Sequence, residues 1–230
     1  MAMPGPASGP GAPDPLRTPV VGLRPIATPL PLGFLGQAVA SWSFACLQLR
    51  WIGSSQSHTV ALAVLVFTVP LQLVSAAWGF WARDPVAATG TGLLAGGWAA
   101  TAVSTLTSPP GSTSAGLGVV LLGVAAALLV PALAGVSRLA AFGVLALSVA
   151  RFATTGVAEL EGGRAWLTVA GWVGLALAVT SVYAALAFEV EAATGRAWLP
   201  IGRLRTKAVS AAPPGNLQEV WREPGVRRQL

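Results

Sequence analysis

The stretch that decides the fold is Thr28-Pro29-Leu30-Pro31-Leu32-Gly33-Phe34-Leu35-Gly36-Gln37, where a proline-rich leader changes into an apolar helix. Pro29 and Pro31 favour an extended backbone, and Pro31 suits the start of a helix, where its missing N–H is not needed. The apolar run from Leu32 to Ile52 then carries one charge, Arg50. This pattern is typical of a first membrane-spanning helix.

The composition indicates a membrane protein. Of the 230 residues, 54% are hydrophobic and 10% are charged, whereas a soluble domain carries about 25% charged residues. The net charge of +6 does not indicate a nucleic-acid partner, because the basic residues do not form one face. Cys46 is the single cysteine, which excludes an internal disulfide and a cysteine-based metal site.

Six segments are long and apolar enough to cross a bilayer, whose hydrocarbon core is about 30 Å thick. The breaks between them are short and rich in Gly, Ser, Pro or charge, which makes neighbouring helices antiparallel. We therefore predict an all-α polytopic protein, with a six-helix transmembrane domain over residues 28–202. The predicted spans are Leu32–Ile52, Thr59–Ala82, Val86–Thr107, Ala115–Gly135, Leu139–Val157 and Trp166–Phe188.

The two ends of the chain differ from this domain. Residues 1–27 contain seven prolines and no apolar core segment, so they do not form a secretory signal. We expect them to be a disordered cytoplasmic leader. Residues 203–230 are expected to be a basic, disordered cytoplasmic tail that contacts anionic lipid of the bilayer.

The positions of Lys and Arg predict the orientation, because cytoplasmic loops carry an excess of both. The opposite side receives Arg50 and Arg164, and Arg151 lies inside a span. The other eleven of the fourteen basic residues share one side with both termini, which predicts cytoplasmic termini. They are Arg17, Arg24, Arg83, Arg138, Arg196, Arg203, Arg205, Lys207, Arg222, Arg227 and Arg228.

Two helices carry a polar stripe inside their apolar runs. Both stripes follow the helical spacing of three and four residues. They indicate either hydrogen bonds between helices or the lining of a path for a small polar solute. The first stripe is Gln37, Ser41, Phe44 and Gln48, and the second is Thr68, Gln72 and Ser75.

Arg151 is the most unusual residue of the spans. A guanidinium at the centre of a span costs about 2.5 to 3.5 kcal/mol on insertion scales, so it is usually paired or faces water. It lies about 20 Å beyond Arg138 along the fifth span, toward the outer side. We expect it either to snorkel or pair locally with Glu159 or Glu161, or to attract anions to an outer vestibule.

Glycines and tryptophans indicate how the spans pack. Gly92 with Gly96 and Gly171 with Gly174 are expected to let helices approach closely. Tryptophans near the ends of predicted spans are typical of an aromatic belt at the membrane interface. These tryptophans are Trp51, Trp78, Trp81 and Trp166.

Enzyme chemistry finds little support in the sequence. His58 is the only histidine and lies in a break, and the spans offer no paired carboxylates. There is no glycine-rich phosphate loop and no metal-ligand spacing. The sequence therefore predicts no enzyme, no cofactor and no metal site.

Motifs at both ends of the six-span region resemble those of the acetate uptake transporter family. This family includes bacterial acetate and succinate permeases of the YaaH/SatP type and fungal relatives. The resemblance covers about residues 27–202. It rests on Pro29-Leu30-Pro31-Leu32-Gly33, Ala170-Gly171-Trp172-Val173-Gly174-Leu175, Ser181-Val182-Tyr183 and Gly195-Arg196-Ala197-Trp198-Leu199-Pro200-Ile201-Gly202.

The resemblance implies a six-helix protomer in the plasma (inner) membrane, assembled as a hexamer with one path through each protomer. It also implies proton-linked passage of acetate or a similar short carboxylate. Thr28 replaces the Asn that begins the family's opening motif, and the three positions that narrow the family's path fall at Gln37, Ala95 and Leu147. Only Leu147 retains the family's residue type, and a shift of one residue would place Ala146 there.

These departures predict a wider and wetter narrow point, because an amide and a methyl replace two aromatic rings. We expect a less selective path or one for a larger solute, with Gln37 donating a hydrogen bond to the carboxylate and Arg151 attracting it. Two other classes of function stay open. One is a non-transporting membrane protein for assembly or signalling, and the other is a channel for a neutral solute such as ammonia.

Overall fold

The computed structural model describes residues 27–194 and 198–202, and its secondary structure is helical throughout the spans. In the second span a 3₁₀ turn, Ser54–Gln56, precedes the first of two short α-helices, and a π-helical segment, Val64–Thr68, separates the pair. The α-helices are α1 Leu30–Gln48, α2 Ser57–Ala63, α3 Val69–Trp81, α4 Pro85–Thr107, α5 Ala115–Ala134, α6 Leu139–Glu161 and α7 Arg164–Thr194.

Six helical spans are long and apolar enough to cross a membrane, which confirms the predicted fold class. The first span ends at Gln48 instead of Ile52, because the chain turns through Arg50 at a φ of 59°. The last two spans are longer than predicted and end at Glu161 and Thr194, since both helices continue through the glutamates that follow the apolar runs. The predicted leader, apart from Ala27, and the predicted basic tail lie outside the described residues.

The six spans form a closed ring. Each span packs against its neighbours in chain order, and α1 packs against both α3 and α7 to close the ring. We call the end at which α1 begins the proximal end, and the end at which α1 finishes the distal end. An even number of spans brings α7 back to the proximal end. There the segment 198–202 returns to the bundle, and its backbone carbonyls accept hydrogen bonds from the start of α6.

The opening motif, residues 28–33, packs closely against the helices next to α1. A Cβ added at Gly33 would lie 2.6 Å from Cγ2 of Thr91 and 2.7 Å from Oγ of Ser75. The carbonyl oxygen of Pro29 accepts a 2.8 Å hydrogen bond from the hydroxyl of Ser75. Gly33 therefore allows α1 to approach α3 and α4 more closely than any other residue would.

The second span changes its helical geometry before Pro70. Proline has no N–H to donate, which removes one helical hydrogen bond, and the π-helical segment Val64–Thr68 ends two residues before it. At its end, the hydroxyl of Thr68 donates a 3.1 Å hydrogen bond to the carbonyl oxygen of Gly36. The irregular segment is thus tied to α1 next to Gln37.

The glycine predictions are confirmed for α7 and for Gly92, where an added Cβ would contact Cβ of Ala76 at 3.6 Å, and wrong for Gly96. A Cβ at Gly174 would lie 3.1 Å from both the Cβ of Ala45 and Nε of Arg151, so α1 and α6 approach α7 closely there. Gly96 is exposed, and a Cβ there would meet nothing within 4 Å. The close approach uses Gly97 instead, one residue later on the inner face, where a Cβ would lie 2.8 Å from Cζ of Phe152.

Candidate functional site: a polar core between two cavities

The centre of the bundle holds a buried hydrogen-bond network around Gln37. Its Oε1 accepts a 2.9 Å bond from Nε2 of Gln72 and a 2.7 Å bond from Nε1 of Trp98. Its Nε2 donates a 3.2 Å bond to the hydroxyl of Ser148. Gln37, Gln72 and Ser148 are fully buried. Four helices, α1, α3, α4 and α6, therefore meet at one amide group.

The two predicted polar stripes face each other, as the helical spacing indicated. Thr68 and Gln72 donate hydrogen bonds to α1, and Ser75 donates one to Pro29, the residue before α1. These bonds realise the first of the two expectations, hydrogen bonding between helices. The second expectation, the lining of a path for a polar solute, rests on two buried atoms. Oε1 of Gln72 and Oγ of Ser41 have no hydrogen-bond partner among the described residues.

An aromatic layer lies distal to the Gln37 network. The ring of Trp98 stacks on Phe44 with centroids 5.6 Å apart and contacts Phe152 at 5.3 Å. Phe44 is seven residues beyond Gln37 on α1, which separates them by about 10 Å along the helix. These three rings close the centre of the bundle on the distal side of Gln37.

Trp98 therefore corrects the expectation of a wide, wet narrow point. Ala95 is buried, as its predicted position requires, but Trp98 follows it by three residues on the same helix face and supplies the aromatic bulk. The expectation of a larger solute depended on the loss of aromatic bulk, and Trp98 restores that bulk. Leu147 is half-buried and packs among α1, α6 and α7 residues, while the next residue, Ser148, contacts Gln37.

Arg151 lies next to the aromatic layer, with Cζ 6.0 Å from the centre of the Trp98 ring. The prediction that it snorkels is wrong, since the side chain is 1% exposed. Its Nη1 donates to Oε1 of Gln48, to the carbonyl oxygen of Ala170 at 2.8 Å and to the hydroxyl of Thr155 at 3.1 Å. The predicted ion pair is also wrong. Glu159 accepts a 2.7 Å bond from the backbone N–H of Ser114 instead.

Neutral groups from α1, α6 and α7 thus surround Nη1 of the guanidinium, while its buried Nε has no hydrogen-bond partner among the described residues. Within the described residues the ion pair that forms is Arg138 with Asp84, 2.8 Å apart at the proximal end. Asp84 also accepts a bond from the N–H of Ala87, which caps α4. Asp84 and Glu159 therefore bind backbone N–H groups at helix starts, and neither carboxylate pairs with Arg151.

A cavity opens into each end of the bundle. The distal cavity has a volume of about 620 Å³ and is lined by Phe44, Gln48, Thr155 and Glu159 among others. The proximal cavity has a volume of about 350 Å³ and is lined by Thr28, Pro29 and Leu30 of the opening motif and by Asp84 and Arg138. Both volumes fall within the range of small-molecule sites, about 300 to 1,000 Å³.

Gln37 lies midway between the two cavities. It is seven residues from Leu30, which lines the proximal cavity, and seven from Phe44, which lines the distal one. Each interval spans about 10 Å of helix. The rest of the opening motif supports this geometry: Pro31 and Gly33 are buried against the bundle, and Leu32 is exposed on its outer face. The structure thus aligns two cavities with a polar, closed centre.

Trp98, Ser148 and Phe152 escaped the sequence reasoning. Trp98 lies in a run of Gly and Ala, and no polar stripe marks α4. One signal was present, because Trp98 is far from either end of its span, where an aromatic belt would place it. The tryptophans expected in that belt, Trp51, Trp78, Trp81 and Trp166, are indeed exposed.

The backbone can be compared with solved structures. The bacterial acetate channel SatP matches with a TM-score of 0.66 and 20% sequence identity, over 76% of this chain and 99% of that chain. The chain has the fold of an acetate channel. This confirms the predicted resemblance at the level of the acetate channel fold and makes the chain a polytopic membrane protein. No family model matches the sequence, and no curated protein matches it.

Proposed function

We propose that this protein is a membrane channel or transporter for acetate or a similar short-chain monocarboxylate. The observation that carries this proposal is the alignment along α1 of two end cavities with the Gln37 network midway, in a bundle with the acetate channel fold. A carboxylate enters one cavity, passes the aromatic layer and the network, and leaves through the other.

The proposed path assigns a role to each central group. Gln37 Nε2 has two hydrogens and donates one to Ser148, so the other can donate to a carboxylate oxygen. Gln72 Oε1 and Ser41 Oγ add two buried polar atoms that have no partner among the described residues. The aromatic layer of Phe44, Trp98 and Phe152 excludes water until the solute moves through, which is how hydrophobic constrictions gate.

Proton linkage, cytoplasmic termini, location in the plasma (inner) membrane and a hexamer are further parts of the proposal. The resemblance to the acetate uptake transporter family supports the proton linkage, the plasma-membrane location and the hexamer. The distribution of basic residues supports the cytoplasmic termini. An acetate-driven acidification of the liposome lumen, measured with an enclosed pH dye, tests the linkage. Cross-linking in native membranes tests the hexamer.

The decisive experiment is uptake of radiolabelled acetate into proteoliposomes. We expect uptake above that of empty liposomes, and competition by unlabelled propionate. Ser148→Phe places a ring against Gln37 and should abolish uptake. Val130→Phe introduces the same ring on the outer surface, where Val130 is 71% exposed, and should leave uptake unchanged.

Two outcomes would contradict the proposal. Uptake no greater than in empty liposomes, by protein shown to be folded, would favour the non-transporting alternative. Ammonia flux that ignores added carboxylates, together with absent acetate uptake, would favour a channel for a neutral solute. Equal uptake by Ser148→Phe and wild type would place the path outside the centre of the bundle.

A further inference from the structure

The hydrogen bonding of Arg151 is unevenly distributed over its guanidinium. Nη1 carries two hydrogens but faces three acceptors, on Gln48, Thr155 and Ala170. The buried Nε faces none among the described residues. One of the three acceptors is therefore surplus at any moment and can be exchanged at little cost.

The charge of Arg151 has no negative counterpart in the described part of the chain. All three acceptors are neutral, and the ring of Trp98, 6.0 Å from Cζ, offers only the partial negative charge of its face. Glu159 follows eight residues later on α6, about 12 Å along the helix, and its carboxylate accepts the N–H of Ser114. A buried cation without an anion favours binding of one from solution.

The distal cavity gives an anion access to this charge. Gln48 and Thr155 line the cavity and also bind Nη1, so the guanidinium lies directly behind the cavity floor. Gln48 is half-buried and has a long side chain, whereas the carbonyl of Ala170 is fixed in α7. Gln48 Oε1 is therefore the acceptor that an incoming carboxylate oxygen replaces.

We propose that Arg151 binds the ionised carboxylate of the solute at the floor of the distal cavity, in place of Gln48. The site accepts an anion and rejects a neutral molecule of the same shape. This inference rests on the proposed passage of a carboxylate and specifies its charged form. It replaces the distant attraction expected from the sequence with direct binding.

Acetate and acetamide provide the test, because they share size and shape but differ in charge. The thermal unfolding of the full-length protein in detergent is followed with each compound in a buffer without other carboxylates, whose ionic strength is held constant with sodium chloride. We expect acetate to raise the Tm in a saturable manner and acetamide to leave it unchanged. Equal shifts by the two compounds would overturn the inference.

Three variants assign the binding to Arg151. Arg151→Gln should raise the acetate concentration for a half-maximal shift at least tenfold, because charge-assisted hydrogen bonds are lost. Arg164→Gln removes an exposed charge at the same end, outside the cavity lining, and should behave as wild type. Gln48→Ala removes the competing acceptor and should lower the half-maximal concentration severalfold. An unchanged or weaker response of Gln48→Ala would contradict the exchange.

Arg151→Lys covers the case in which Arg151→Gln does not fold, since it keeps the charge and loses the planar fork. We expect it to retain an acetate-specific shift at several times the wild-type concentration, and full wild-type affinity would contradict the assignment. Uptake separates the two proposals. Acetate uptake with no acetate-specific shift refutes the Arg151 site alone, whereas the shift without uptake refutes the transport function alone.

Discussion

The indole Nε1 of Trp98 donates a 2.7 Å hydrogen bond to Oε1 of Gln37, midway between the two cavities. The two residues are 61 positions apart and belong to α4 and α1. The same oxygen also accepts from Gln72, so one oxygen atom joins three spans. The bond joins the polar centre of the bundle to its aromatic layer.

A double-mutant cycle measures what this bond contributes to stability. Trp98→Phe keeps an aromatic ring but removes the N–H, and Gln37→Ala removes the acceptor. We expect each single change to destabilise the protein and the pair to show a coupling energy of about 0.6 to 1.7 kcal/mol, the range for hydrogen bonds between membrane helices. Reversible unfolding in mixed micelles gives the free energies. Additive effects would mean that the bond contributes nothing to stability.

Gly33 and Gly96 form a matched pair for testing how the helices pack. Gly33→Ala should destabilise the protein by about 1 to 3 kcal/mol, because the new methyl would overlap Thr91 and Ser75. Gly96→Ala meets nothing within 4 Å and should be neutral or stabilise by up to about 1 kcal/mol through helix propensity. Thermal unfolding in detergent compares the two. A neutral Gly33→Ala would contradict the close packing of the opening motif.

Much of the fold was predictable because it depends on local properties. Length and hydropathy suffice to identify six spans. The spacing of polar residues within each stripe suffices to place Gln37 and Gln72 on inner helix faces. Span ends were less predictable, since the helix that ends at Glu161 continues through charged residues by its own hydrogen bonding. Hydropathy does not report that continuation.

The centre of the site was harder to predict because it depends on partners distant in sequence. Nothing near Trp98 in the chain indicates that its N–H meets an amide on another span. For Arg151, the expectation of an acidic partner was reasonable, but Gln48, Thr155 and a backbone carbonyl surround it instead. Neutral acceptors of this kind are too common in a sequence to be recognised as a site.

The orientation stays a prediction, and cysteine labelling tests it. In a Cys46→Ala background, Ser112→Cys lies on an exposed distal loop and Ser137→Cys on an exposed proximal loop. Because most basic residues accompany the proximal end, we expect an impermeant maleimide to label Ser112→Cys in intact cells. Ser137→Cys should react only after permeabilisation. The reverse pattern would place the distal cavity and Arg151 toward the cytoplasm, so that the anion would meet the guanidinium first on its way out of the cell.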